Sequence, residues 1–71
     1  MKNIKLLRVT KDLTQLSVQM ATGINQSLLS KYETGEYMPT TENLLVLAKF
    51  YNTSLDFLMD LTDEKEPYPP K

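Results

Sequence analysis

Residues 13–35 read LTQLSVQMATGINQSLLSKYETG, and the fold turns on how that stretch divides. Thr14 is a hydroxyl residue of the kind that caps a helix N-terminus, and nothing from Gln15 to Thr22 breaks a helix. Gly23 ends that segment, because glycine accepts the positive φ that a helix C-terminus commonly requires. Only Ile24 and Asn25 separate it from the next helix. Asn25 is again a capping residue, Gln26 to Thr34 form the second segment, and Gly35 terminates it in the same way.

Working outward, the chain before Thr14 contains a segment from about Lys2 to Asp12, with Ile4, Leu7 and Arg8 on one face and Leu13 as the bridge. After Gly35, Pro39 and Thr40 open a helix from about Thr41 to Tyr51. Its broad apolar stripe, Leu44, Leu45, Leu47, Ala48 and Tyr51, marks it as the central core helix. Asn52 and Thr53 turn the chain, Ser54 caps a last segment, and Leu55, Leu58 and Leu61 recur at a spacing of three. No alternating strand pattern competes, so the fold class is all-α with five helices. Helices this short are marginal alone in water and must share a core. The pattern assigns to it Ile4, Leu7, Val18, Ala21, Ile24, Leu29, Leu44, Leu47, Ala48, Leu55 and Leu58.

With 71 residues there is room for one small domain, expected at 1–61, followed by a flexible acidic, proline-rich tail at 62–71. Zero cysteines and zero histidines remove disulfides, thiolate metal sites and the commonest general base. No hydroxyl is paired with an activating base, so neither an enzyme nor a cofactor is expected. The acids Asp60, Asp63 and Glu64 read as solubilising rather than metal-binding. The longest apolar run, Leu44 to Ala48, is too short to span a bilayer, so no membrane partner and a cytoplasmic location are expected. The net charge of −1 conceals an asymmetry. Lys2, Lys5, Arg8, Lys11 and Lys31 face only Asp12 and Glu33 in residues 1–35, whereas the rest of the chain is acidic. A basic half can meet a polyanion even in a slightly acidic protein.

Two short helices joined by a tight turn containing glycine have the geometry of a helix-turn-helix. The ordered series Arg8, Leu13-Thr14-Gln15, Gly23-Ile24, Leu29-Ser30, Glu33, Gly35, Pro39, Leu44, Leu47-Ala48 and Ser54-Leu55-Asp56 with Leu58 resembles the Cro- and lambda-repressor-like, or Xre, family. The resemblance runs from Ile4 to about Met59. It implies a compact lambda-repressor-like DNA-binding domain with the helix-turn-helix at helices 2 and 3, and a small transcriptional regulator, a repressor, acting by operator occupancy.

The same resemblance implies that the third helix enters the major groove of double-stranded DNA while the second crosses the backbone. Gln26, Ser27 and Lys31 then face base edges, with Leu28 able to pack on a thymine methyl. Gln suits adenine N6/N7, Lys suits guanine O6/N7, and Ser serves either. Gln15 and Asn25, at helix N-termini, are expected to hold phosphates, with Thr34, Tyr37 and Lys11 as further candidates. Arg8 and Glu33 are expected to form a bidentate structural pair.

Departures from the family pattern matter. Gln19 stands where alanine is usual, which predicts a wider approach of the second and third helices. Leu16 and Met20 form an apolar ridge that either packs against the first helix or contacts another protein. Phe57, Met59 and Leu61, with Phe50, offer either ordinary burial or the face of a homodimer reading a palindromic operator. An antitoxin or protein-interaction module is the alternative function. Salt-dependent affinity for DNA separates the two.

Overall fold

The computed structural model describes residues 1–65. Among these, five helices follow one another: α1 (Lys2–Thr10), α2 (Gln15–Thr22), α3 (Gln26–Thr34), α4 (Thr41–Tyr51) and α5 (Leu55–Leu58). There is no strand among the described residues. Each of the last four helices opens on its own cap. The side chains of Thr14, Asn25, Thr40 and Ser54 accept from the backbone N–H groups of Ser17, Ser27, Asn43 and Phe57, and each such cap is worth about 1 kcal/mol. Gly23 and Gly35 take φ of 79° and 82°, closing α2 and α3 in the left-handed region as their position required.

α1 ends earlier than its apolar pattern suggests. The chain leaves the helix through Lys11, and Asp12 adopts φ of 56°, so Leu13 N–H reaches back to the Arg8 carbonyl at 3.0 Å. Its other end has no cap of its own. Instead Asp60, at φ of 62°, accepts from the N–H groups of Lys2 and Asn3 at 3.1 and 3.0 Å, while Asn3 Nδ2 donates to the Phe57 carbonyl at 2.9 Å. Asp60 therefore serves the first helix and stops the last, which is why α5 ends at Leu58 rather than extending to Leu61.

The core consists of Ile4, Leu7, Val18, Ile24, Leu29, Tyr32, Leu47, Tyr51, Phe57 and Leu58. Leu44 and Ala48 are half-buried against it, while Ala21 and Leu55, which the pattern placed inside, are exposed. In their stead Tyr32, Tyr51 and Phe57 are buried. Phe57 is thereby removed from the apolar area available to a homodimer face; Met59 and Phe50 are half-buried and Leu61 is exposed. The Leu16–Met20 ridge does not pack on α1: Met20 is 80% exposed and Leu16 is 52% exposed. Of the tail, Lys65 lies against the body, its carbonyl accepting from Thr53 Oγ1, and residues 66–71 lie outside the described residues. No helix among the described residues is long and apolar enough to cross a membrane.

α3 packs on both α1 and α2, α4 on α2 and α5, and α5 on α1. The result fixes one face of α3 and leaves the other open.

Candidate nucleic-acid interface

α3 alternates what it hides and what it shows at helical spacing. Leu29, Tyr32 and Glu33 are buried, whereas Gln26 and Ser27 are exposed and Leu28, Ser30 and Lys31 are half-buried. Gln26, Ser27, Ser30 and Lys31 line one shallow open groove, with Gln15 from α2 and Glu36 from the loop that follows α3. Four of the residues singled out from sequence thus meet on one surface: Gln15, Gln26, Ser27 and Lys31. Leu28 lies beside them on the same helix.

The depth of α3 in the fold is set by a pair of charges. Arg8 Nε donates to Glu33 Oε2 at 2.7 Å and Arg8 Nη2 to Glu33 Oε1 at 3.1 Å, the bidentate pair expected from sequence. Arg8 Nη1 also donates to the Leu13 carbonyl at 2.8 Å, so one guanidinium ties α1, the α1–α2 link and the end of α3 together. The two side chains are only 15% and 4% exposed. Hydrogen bonding to Glu33 raises the Arg8 pKa above its ordinary value, against an opposing effect of burial. Gln15 joins this cluster, its Nε2 donating to Glu33 Oε1 at 3.1 Å. That bond anchors the first residue of α2 on the last turn of α3.

At the N-terminus of α3, Asn25 caps the helix as its residue type predicts, and a second side chain joins it. Gln19 Oε1 accepts from the Gln26 N–H at 2.7 Å, and Asn25 Oδ1 accepts from the Ser27 N–H at 2.8 Å. These two backbone amides are thus satisfied within the protein. Gln19, whose size in place of alanine predicts a wider approach of α2 and α3, also acts as a tether across the turn. The signal was present in the residue type, since a glutamine directed at a neighbouring helix N-terminus can reach its unpaired donors.

The remaining candidates are dispersed. Thr34 is exposed and its Oγ1 donates to the Lys31 carbonyl at 3.2 Å. Tyr37 is half-exposed and lies beside Lys31, whose Nζ is 4.6 Å from the ring centroid. Lys11 is not in the groove; it borders a separate depression with Leu7, Tyr51, Asn52 and Lys65. Sequence reasoning also missed the link that steadies the inner face of α3, where Asn43 Nδ2 of α4 donates to the buried Tyr32 hydroxyl at 2.8 Å. No group of acids that could hold a metal ion occurs among the described residues, and Asp60 is engaged by the α1 N-terminus.

Comparison with known proteins agrees with this geometry. The helix-turn-helix family model matches residues 4–58. The antitoxin PezA of Streptococcus pneumoniae serotype 4 (strain ATCC BAA-334 / TIGR4) is 43% identical over 53 residues, covering 75% of this chain and 34% of that protein. The uncharacterized HTH-type transcriptional regulator YobD of Bacillus subtilis (strain 168) is 30% identical over 66 residues, covering 93% of this chain and 59% of that protein. The chain thus spans about a third and about three fifths of these relatives. No solved structure matches at a significant level. The chain belongs to the helix-turn-helix family, of the Xre or lambda-repressor-like type.

Proposed function

We propose, from the premise that this chain is a helix-turn-helix protein, that it reads a specific double-stranded DNA sequence and represses transcription by occupying its operator. The observation that carries the reading is the two-sidedness of α3. Gln26, Ser27 and Lys31 share its open side, while Leu29, Tyr32 and Glu33 are sealed beneath and Leu28, half-buried, packs against the core from the edge. A rigid cylinder with amide, hydroxyl and ammonium donors on one side has the dimensions and chemistry of a major-groove reader.

In this reading Gln26 pairs with adenine, Lys31 donates to guanine, Ser27 serves either base and Leu28 packs on a thymine methyl. Gln15, Asn25, Thr34 and Lys11 hold phosphates. The binding unit is 1–61, and the acidic segment 62–71 opposes unspecific association with DNA. A single helix-turn-helix reads few base pairs, so two copies on a palindrome are the expected form. The chain acts by binding, without catalysis or cofactor, in the cytoplasm.

Selection from a random duplex pool tests the proposal. The wild type should enrich one palindromic motif, and Gln26→Ala/Lys31→Ala should lose it while keeping its circular dichroism spectrum; an unchanged motif in the double variant would refute the assignment. Affinity should also fall steeply with salt as phosphates are neutralised.

A second reading, an antitoxin or protein-interaction module, is favoured by the exposed Leu16 and Met20 and by the similarity to a protein named as an antitoxin. An apolar contact through that ridge would be nearly insensitive to salt, and Met20→Lys would abolish it while sparing DNA binding.

A further inference from the structure

Lys31 and Tyr37 are joined twice. The Tyr37 N–H donates to the Lys31 carbonyl at 3.2 Å, and the Lys31 ammonium sits 4.6 Å from the centroid of the Tyr37 ring. We propose that Tyr37 is a positioning residue for base readout: its ring holds the Lys31 ammonium at the open groove of α3 and so fixes which base pair the lysine addresses. The inference rests on the DNA-binding reading above and replaces the phosphate contact that the sequence suggested for Tyr37.

A lysine is a poor reader unless something directs it. Its four-carbon stem rotates freely and its charge is a point, without the fixed fork of arginine. Lys31 also shares its groove with Glu36, a carboxylate that would cancel the charge if it captured the ammonium. The ring offers a different partner. An aromatic face attracts a cation through its quadrupole and leaves the full positive charge in place, available to guanine O6 and N7.

The ring is itself held by the turn. Gly35, at φ of 82°, reverses the chain after α3, its N–H donating to the Tyr32 carbonyl at 3.2 Å. The Glu36 N–H donates to Thr34 Oγ1 at 3.4 Å. With the loop backbone tied at these points, Tyr37 presents its ring to the Lys31 ammonium. The phenolic hydroxyl has no part in that contact, which separates the proposal from a hydroxyl–phosphate contact.

The test uses the full chain with Tyr37→Ala, Tyr37→Phe, Lys31→Ala and Tyr37→Ala/Lys31→Ala. In the free protein, the NMR signals of the Lys31 ε-methylene protons should show a ring-current shift that persists in Tyr37→Phe and vanishes in Tyr37→Ala. This arm needs no DNA. On the duplex enriched by the wild type and its single-base-pair variants, Lys31→Ala identifies the base pair that lysine reads. Tyr37→Ala should then reduce discrimination at that base pair by about two- to fivefold, as expected for an exposed cation–aromatic contact. Tyr37→Phe should retain it, and Tyr37→Ala should add nothing once Lys31 is gone.

Equal, sequence-independent losses in Tyr37→Phe and Tyr37→Ala, with a shallower salt dependence, would overturn the proposal in favour of a phosphate contact. So would a Tyr37→Ala effect that persists without Lys31, or the absence of any ring-current shift. Failure of the wild type to enrich a motif while the ring-current shift is present would refute the DNA reading and with it the readout role of Tyr37, leaving only the free-state contact.

Discussion

Arg8 and Glu33 stand 25 residues apart in sequence and meet through two parallel hydrogen bonds of 2.7 and 3.1 Å, with Glu33 almost wholly shielded from water. A charge in that position cannot easily lose its partner. Either Arg8→Ala or Glu33→Ala should therefore lower the unfolding free energy by about 3 kcal/mol, because each strands a poorly solvated group. Arg8→Lys should recover little, since an ammonium cannot supply the fork that spans Glu33 and the Leu13 carbonyl. Chemical denaturation checks both statements, and unchanged midpoints for the alanine variants would refute the assignment.

The capping of α1 by Asp60 predicts a second long-range effect. Asp60→Ala removes the acceptor of the Lys2 and Asn3 N–H groups and puts alanine at a positive φ, so a loss of about 1–2 kcal/mol is expected. Asp60→Gly should cost less than Asp60→Ala, because glycine relieves the backbone strain even though the cap is lost. Thermal melts of the two variants give the order directly; the reverse order would mean that strain at Asp60 is unimportant.

The same residue shows where sequence reading stopped. Local signals were legible: the caps Thr14, Asn25, Thr40 and Ser54 and the stops Gly23 and Gly35 place α2, α3 and α4 where the chain has them. Those devices act over three or four residues. Asp12 and Asp60 act otherwise, for aspartate enters the left-handed region only when the surroundings favour it, and at Asp60 the favour comes from a helix 57 residues away. For this reason α1 and α5 are shorter than their leucine spacing implies. Leu55, expected in the core, is exposed for a related reason, while Phe57, which the sequence leaves open between burial and a dimer face, is buried. With α5 only four residues long, periodicity alone cannot say which side faces inward. In the candidate interface the exposed side of α3 follows from its residue pattern, while the Gln19 tether and the Lys31–Tyr37 contact depend on how the turns orient those side chains.

Tyr51 gives a pH dependence with a definite sign. Burial, aided by the nearby Glu33 charge and opposed by Arg8, pushes its phenol up to about 12 from an ordinary value of 10.0. The unfolded chain loses this proton first, so between about pH 10 and 12 the folded state holds more protons and stability falls as pH rises. Below pH 10 the contribution is fully present. Tyr51→Phe should flatten the decline between pH 10 and 12 as followed by urea denaturation. A slope identical to the wild type would show that the phenol is not the group responsible.

Gln19 supplies the last expectation, and it separates holding the fold from aiming the reader. Its carbonyl oxygen takes the N–H of Gln26, the first residue of α3, at 2.7 Å in an exposed setting. Water can replace an exposed acceptor, so Gln19→Ala should change stability by less than about 1 kcal/mol. The consequence for DNA should be larger relative to that small cost. Without the tether the first turn of α3 is free to fray, and Gln26 is the side chain that would present its amide to adenine. Gln19→Ala should weaken binding to the selected duplex severalfold, with the loss concentrated at the base pair that Gln26→Ala identifies. Gln19→Glu keeps an acceptor for the Gln26 N–H but adds a negative charge near the duplex, so it should retain base preference while lowering affinity most at low salt. Binding titrations at two salt concentrations resolve the two behaviours. A Gln19→Ala protein with wild-type affinity and base preference would show that the turn alone orients α3.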